Sequence, residues 1–233
     1  WLPKIGWVRY RNSQQILGEI KNVTISKKCG HFFVSIQTEF EQVIPTHQGS
    51  EIGIDMGVAR FATLSNGGFF EPLNSFKKHQ ESLRKAQQSL SRKVKFSRNW
   101  LKQKGKIGKI HHKISNARKD YLHKISTEIC KNHAMIYVED LQVANMSKSA
   151  KGTAEQQGKN VAQKSGLNRS ILDQGWFEFR RQLDYKSAWL GGYVVAVNPK
   201  NTSRTCPCCG HIAKENRQTQ ANFACVECGY REN

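Results

Sequence analysis

The chain has 233 residues, enough for one large domain or two small ones with a sizeable buried core. It carries 37 Lys or Arg against 18 Asp or Glu, a formal charge of +19, and this excess points to a polyanionic partner. No apolar run approaches the roughly 18 residues that a membrane-spanning helix needs, and no signal-peptide pattern is present, so nucleic acid is favoured over a membrane surface.

The chain opens at Trp1 and stops at Asn233 shortly after a cysteine pair, and it is expected to be a fragment. Ile5–Tyr10, Gly18–Ile25 and His31–Gln37 read as β-strands separated by Asn-Ser and Cys-Gly turns, part of a small β-barrel. Glu51-Ile52-Gly53-Ile54-Asp55-Met56-Gly57-Val58 then places an aspartate in an apolar strand. An uncompensated carboxylate there costs several kcal/mol or more, so Asp55 must be paired, protonated or metal-bound. Taken alone it reads equally as a turn residue capping local backbone before Met56-Gly57.

From Asn74 to His133 there are 17 Lys or Arg against three acids, so +14 of the +19 sits in about a quarter of the residues. Phe76, Leu83, Leu90 and Val94 mark one helical face. Ile107, Ile110, Ile114, Ala117, Tyr121, Ile125 and Ile129 mark a second, with a break near Ser97 to Trp100. Helices built for solubility mix both signs on their outer faces. These are nearly all positive, which suits phosphate.

Ala134-Met135-Ile136-Tyr137-Val138-Glu139-Asp140-Leu141 repeats the acid-bearing strand. Two such strands can bring Asp55 and Glu139 to one metal; alternatively Glu139 closes its strand by pairing with a Lys or Arg. Asp140, next in line, would face the opposite side. Residues 144–170 are rich in Lys, Gln, Ser and Gly and read as a flexible loop. Asn168 is expected to cap a helix whose stripe runs Leu172, Trp176, Phe179, Leu183 and Leu190, followed by a buried strand at Tyr193–Val197. Trp100, Trp176 and Trp189 are expected in the core, and Asp173 and Asp184 as helix capping or solvent residues.

Five of the seven cysteines fall between Cys206 and Cys228. Cys206-Pro207-Cys208-Cys209-Gly210 and Cys225-Val226-Glu227-Cys228-Gly229 are two C-x-x-C-G knuckles at the spacing of a tetrahedral four-thiolate zinc site. Cys206, Cys209, Cys225 and Cys228 are the candidate ligands, with Cys208 turned away. A redox dithiol is the competing reading of either pair alone. Cys29 and Cys130 read as ordinary buried thiols.

Gly53-Ile54-Asp55-Met56-Gly57-Val58, Tyr137-Val138-Glu139-Asp140-Leu141, Asn198-Pro199 with Thr202-Ser203 and Cys206, and the knuckles closing on Cys228-Gly229-Tyr230 together resemble the TnpB (OrfB) family. These are transposon-encoded, RNA-guided DNA nucleases related to compact type V CRISPR effectors and also described as probable transposases. The resemblance implies an α/β chain. Residues 1–46 would be a partial wedge-type β-barrel and 47–74 the first part of a RuvC-like domain of the ribonuclease H fold. A basic helical hairpin insertion would follow at 75–133, the second RuvC-like part at 134–200, and a zinc ribbon at 201–233.

It further implies that Asp55 and Glu139 are catalytic and bind Mg²⁺, and that Zn²⁺ is structural. The partners would be a guide RNA and a target DNA, with no membrane, in the nucleoid-associated cytoplasm of a prokaryote carrying the mobile element. A third catalytic aspartate is expected beyond the last knuckle, where the chain ends Gly229-Tyr230-Arg231-Glu232-Asn233 with Glu232 the nearest acid. Two carboxylates balance about half the charge of two divalent ions, so the full-length parent is expected to cut DNA and this chain to cut poorly or not at all. Two other functions remain open: a non-catalytic nucleic-acid-binding transposon remnant, and a transposase or junction resolvase that works without RNA.

Overall fold

The computed structural model describes residues 1–219 and 222–232, with the backbone alone described at Glu232. The chain divides into two compact units, one comprising Trp1–Thr46 and Asn74–Tyr121, the other His47–Leu73 and Leu122–Asn233. No helix among the described residues is long and apolar enough to cross a membrane.

In the first unit, the strand expected at Ile5–Tyr10 does not form. Lys4 and Gly6 take positive φ (66° and 87°), and backbone hydrogen bonds between Leu2 and Gly6 close a tight turn there. β1 (Glu19–Lys28) and β2 (His31–Glu39) make an antiparallel hairpin. Both residues of its Cys29-Gly30 turn have positive φ, the geometry whose twist matches the flanking strands. This two-stranded ribbon is the only sheet among the described residues of the segment, so the expected barrel is not seen there. An open cavity of about 860 Å³ lies between the ribbon and the irregular stretch before it.

The basic segment folds as α1 (Ser75–Ser91) and the start of α2 (Arg98–Asn132). Leu83 and Ile114 are buried as their spacing predicts. Gln103 Nε2 donates to the Ala86 carbonyl (2.9 Å) and Ser75 Oγ to that of Ile114 (3.3 Å). The break comes at 92–97, slightly earlier than expected, because Ser97 Oγ accepts the Trp100 amide at 3.2 Å and starts α2 there. Val94 falls in the break and is 79% exposed, so it leaves the apolar stripe.

The second unit is built on a five-stranded sheet of β3 (Ser50–Asp55), β4 (Ala62–Leu64), β5 (Phe69–Phe70), β6 (His133–Glu139) and β7 (Tyr193–Val197), ordered β5-β4-β3-β6-β7. β3, β6 and β7 run parallel; β4 is antiparallel to β3, and β5 to β4. Strand alternation assigns the faces. Ile52, Ile54, Ile136 and Val138 are all buried, together with Leu122, Ile125 and Ile129 of α2. The opposite face carries Gly53, Asp55, Tyr137, Glu139, Tyr193, Val195 and Val197, which are half-buried or exposed. β7 was expected to be buried, but it is an edge strand and four of its five side chains are exposed.

Three helices connect β6 to β7: α3 (Val143–Met146), α4 (Val161–Gln174) and α5 (Trp176–Trp189). Phe179 and Leu183 of α5 are fully buried, and Phe179 meets Phe61 edge-on with ring centroids 4.9 Å apart. The buried amide of Gln182 accepts from Ser126 Oγ at 2.9 Å, a satisfied polar bridge from α5 to α2. Lys186 Nζ donates to the His123 carbonyl, Ser126 Oγ and Thr127 Oγ1, and its partial burial lowers its pKa.

Residues 144–170 are therefore not one loop. α4 lacks an apolar stripe, which hid it, and it is tied down by side chains instead. Lys164 Nζ reaches the Met146 carbonyl (2.7 Å), and Asn168 Nδ2 reaches those of Ser147 and Lys148. Asn168 thus lies inside a helix instead of capping one. The single helix expected through Leu172 and Leu190 is split by Gly175, whose φ of 76° is open to glycine and costly for other residues. Trp176 is buried, but Trp189 is 58% exposed and leaves the predicted core.

The last segment holds two short 3-10 turns and the paired strands β8 (Phe223–Ala224) and β9 (Arg231–Glu232). Cys206, Cys225 and Phe223 form its small core, with Tyr230 packed against it.

Candidate metal centres

The acid site is a product of strand register. Ile54 pairs with Val138 across the parallel β3/β6 ladder, and Asp55 and Glu139 each follow as the last residue of their strand. Glu139 pairs in turn with Val197 of β7, and Asp55 with Thr63 of β4. Both acids therefore stand at the carboxyl ends of adjacent parallel strands, the edge where open α/β sheets form their crevices. They line an open depression of about 380 Å³ with Gly53, Thr63, Ser65, Tyr137 and Val197. Asp55 is not in the middle of a buried strand as its apolar neighbours suggest. It is the exposed last residue, so water offsets part of the cost of its charge.

Burial and then the neighbouring charge of Asp55 raise the Glu139 pKa, while a hydrogen bond from Thr202 opposes the rise. Thr202 Oγ1 lies 3.2 Å from Glu139 Oε1 and 3.1 Å from the Pro199 carbonyl. Two like charges held together by a sheet are relieved by a cation or a proton. Among the described residues, Asp55 and Glu139 are the acids lining the depression. Asp140 accepts from Gln142 Nε2 instead (3.3 Å), and Asp184 pairs with Arg180 on α5 (3.0 Å). The side chain of Glu232, the nearest acid to the expected third position, lies outside the described residues, as does Asn233.

The sulfur site is built locally. The Sγ atoms of Cys206, Cys209, Cys225 and Cys228 all lie within 4.8 Å of one another, with 3.6 Å between Cys206 and Cys228 and between Cys209 and Cys225. A tetrahedral ion with sulfur ligands at about 2.3 Å separates its sulfurs by about 3.8 Å, so the four thiols suit one metal ion. The Cys228 amide, and after it that of Glu227, draw the Cys225 thiol down to about 6, whereas the Cys209 and Cys228 thiols are raised, so these sulfurs titrate as a group and not one by one. Cys208 is exposed and outside the cluster, as its place within the knuckle predicts. Cys130 is buried, and burial pushes its thiol up to about 11; Cys29 is half-buried.

Two residues had no role in the sequence reading. Thr202 was visible only as part of a motif, because its bond to Glu139 depends on the turn after β7. Asn216 is fully buried. Its Nδ2 donates to the Arg204 and His211 carbonyls (2.8 and 3.1 Å), and its Oδ1 accepts the Val226 amide (3.0 Å), joining the two knuckles.

A family profile described as "Probable transposase" (OrfB, IS605 type) matches residues 31–150, and a "Cas12f1-like, TNB domain" profile matches residues 176–233. "Putative RNA-guided DNA endonuclease InsQ" of Escherichia coli K12 is 60% identical over the whole chain, which covers 58% of that protein. A "Putative RNA-guided DNA endonuclease" of Streptomyces pristinaespiralis is 31% identical over 91% of the chain and 49% of that protein. The "CRISPR-associated endodeoxyribonuclease Cas12f1" of Syntrophomonas palmitatica is 25% identical over 80% of the chain and 38% of that protein. The chain spans about half the length of these relatives.

Proposed function

The chain belongs to the OrfB family of IS605-type transposon proteins, and from that premise we propose that it carries the nuclease centre of an RNA-guided DNA endonuclease. The observation that carries the reading is the side-by-side placement of Asp55 and Glu139 at the ends of parallel strands. A sheet with two further strands running antiparallel in turn beside β3 and an acid on each central strand suits a RuvC-like domain of the ribonuclease H type.

Asp55 and Glu139 are the residues that would hold Mg²⁺, whose preference for hard oxygen ligands they meet. When bound, the metal supplies charge stabilisation and an activated water for phosphodiester hydrolysis. The chain's own part is positional: the β3/β6 ladder fixes the two carboxylates side by side, and Thr202 holds one oxygen of Glu139. The raised pKa of Glu139 marks a carboxylate that a cation would stabilise. Cys206, Cys209, Cys225 and Cys228 would hold Zn²⁺ as a structural clip. The exposed Lys and Arg side chains of α1 and α2 would meet the phosphates of guide RNA and target DNA. The resemblance implies a third carboxylate; with Asp55 and Glu139 alone, metal would be held weakly.

The test is cleavage of guide-matched plasmid in Mg²⁺ by the full protein with its RNA, the form that supplies the third carboxylate the resemblance implies. We expect cutting that is lost on ribonuclease treatment and lost again in Asp55→Asn and Glu139→Gln. Cutting that survives ribonuclease would favour a transposase or resolvase acting without RNA. Tight, salt-sensitive RNA binding without any metal-dependent cutting would favour the non-catalytic remnant.

A further inference from the structure

The sheet carries a row of side chains that extends the acid site sideways. Directly opposed residues of an antiparallel pair project to the same face. Thr63 of β4 opposes Asp55, and Phe69 of β5 opposes Thr63. Phe69, Thr63, Asp55, Glu139 and Val197 thus stand side by side on the open face, one per strand, at the level where the acids end their strands. Neighbouring strands lie about 4.8 Å apart, which sets Phe69 about 10 Å from Asp55 along the row. That distance is within the reach of the nucleotides next to a phosphate held at the acids.

Phe69 is 47% exposed although it is a large apolar side chain at the end of a sheet row, and the Arg60 guanidinium lies over its ring at 4.1 Å from the centroid. A guanidinium stacked on a ring keeps its in-plane N–H donors for an anion, and with Phe69 47% exposed the ring retains accessible surface beside it. The two residues offer both surfaces that a single strand presents, an aromatic plane for a base and a forked donor for a phosphate. Arg60 sits on the turn between β3 and β4, held by hydrogen bonds from the Gly57 amide to the Phe61 carbonyl and from the Phe61 amide to the Phe70 carbonyl. The pair is therefore anchored to the same strands that carry the acids.

We propose that Arg60 and Phe69 form a single-strand DNA subsite that grips the nucleotide flanking the phosphate at Asp55 and Glu139, Phe69 stacking on its base and Arg60 pairing with its phosphate. The nuclease reading supplies only the identity of the strand. The subsite is sequence-tolerant, because every base has a face to stack, so it sets where a strand is held and leaves target choice to other parts of the protein.

The probe is a short oligodeoxythymidylate with one 2-aminopurine, titrated without divalent metal into the protein and into Phe69→Ala, Phe69→Trp and Arg60→Gln. Stacking quenches the probe. We expect quenching in the parent, its loss in Phe69→Ala with affinity down about 5-fold or more, and its recovery in Phe69→Trp. Arg60→Gln should lower the salt slope of binding by about 0.7, the share of one phosphate contact on a single strand, whereas Phe69→Ala should leave the slope unchanged. Quenching that persists in Phe69→Ala at every probe position, or an unaltered slope in Arg60→Gln, overturns the subsite. Zinc content and circular dichroism confirm that each variant is folded. A subsite confirmed alongside cutting that survives Asp55→Asn would refute the nuclease assignment alone; the reverse pattern would refute the subsite alone.

Discussion

The two candidate metal centres are assembled in opposite ways. The sulfur site draws four ligands from two short knuckles in one segment, and its geometry follows from local turns. The acid site draws two ligands from strands separated by the whole basic hairpin, and it exists only because β3 and β6 pair in one register. A one-residue slip of that ladder would send every side chain of the shifted strand to the other face, separating the acids and burying a charge. A centre made of local turns survives disturbance elsewhere, whereas one made of register inherits every disturbance of its sheet.

That contrast can be broken at four points. The largest effect falls on the cysteines: if Cys206, Cys209, Cys225 and Cys228 hold Zn²⁺, with the roughly 10 kcal/mol or more of a structural site, Cys225→Ser should lower zinc binding most, since three thiolates hold an ion less well than four. Metal analysis should find well under one equivalent, while hydrogen exchange of β3 and β6 stays as in the parent. Retention of a full equivalent would show that the ligand set is wrong.

Asp55→Asn and Glu139→Gln come next. Each removes a metal-binding charge, so Mg²⁺-dependent cleavage by the full protein should fall on the order of 10³-fold, about 4 kcal/mol, with zinc content unchanged. Cleavage rates within a few-fold of the parent would exclude these acids as metal ligands.

Thr202→Val should act more gently. It removes one hydrogen bond to a charged oxygen, and Mn²⁺ affinity measured by electron paramagnetic resonance should drop about 10-fold, with Thr202→Ser restoring it. An unchanged Mn²⁺ affinity in Thr202→Val would make the 3.2 Å contact incidental. The smallest effect is a ranking of thiols. Cys208 is exposed and, in protein supplied with Zn²⁺, should be alkylated at least about ten times faster than Cys130, whose buried thiol is held up to about 11. Equal rates would mean that Cys208 is engaged by the metal or that the core around Cys130 opens.

Legibility followed the same division. Cys206, Cys209, Cys225 and Cys228 could be named from spacing because local chemistry fixes them. Ile52, Ile54, Ile136 and Val138 could be placed on strands because their alternation is strong, yet the position of Asp55 at its strand's end could not, since apolar neighbours look alike in the middle and at the end of a strand. α4 escaped notice because Lys164 and Asn168 hold it through backbone carbonyls instead of an apolar stripe. Trp189 and β7 were placed in the core by composition, but an edge strand exposes what a central one buries. The Phe69–Thr63–Asp55 row was beyond sequence reasoning altogether, because it depends on which residues of three strands face one another.

Asn216 gives the sulfur site a property of its own. Its three hydrogen bonds hold the two knuckles together with protein atoms alone. A side chain that fixes the spacing of two ligand pairs lowers the ordering left to an incoming ion, and preorganisation of that kind tightens binding. Loss of Asn216 would therefore loosen the hold of one pair of sulfurs on the other without touching the register that sets Asp55 beside Glu139.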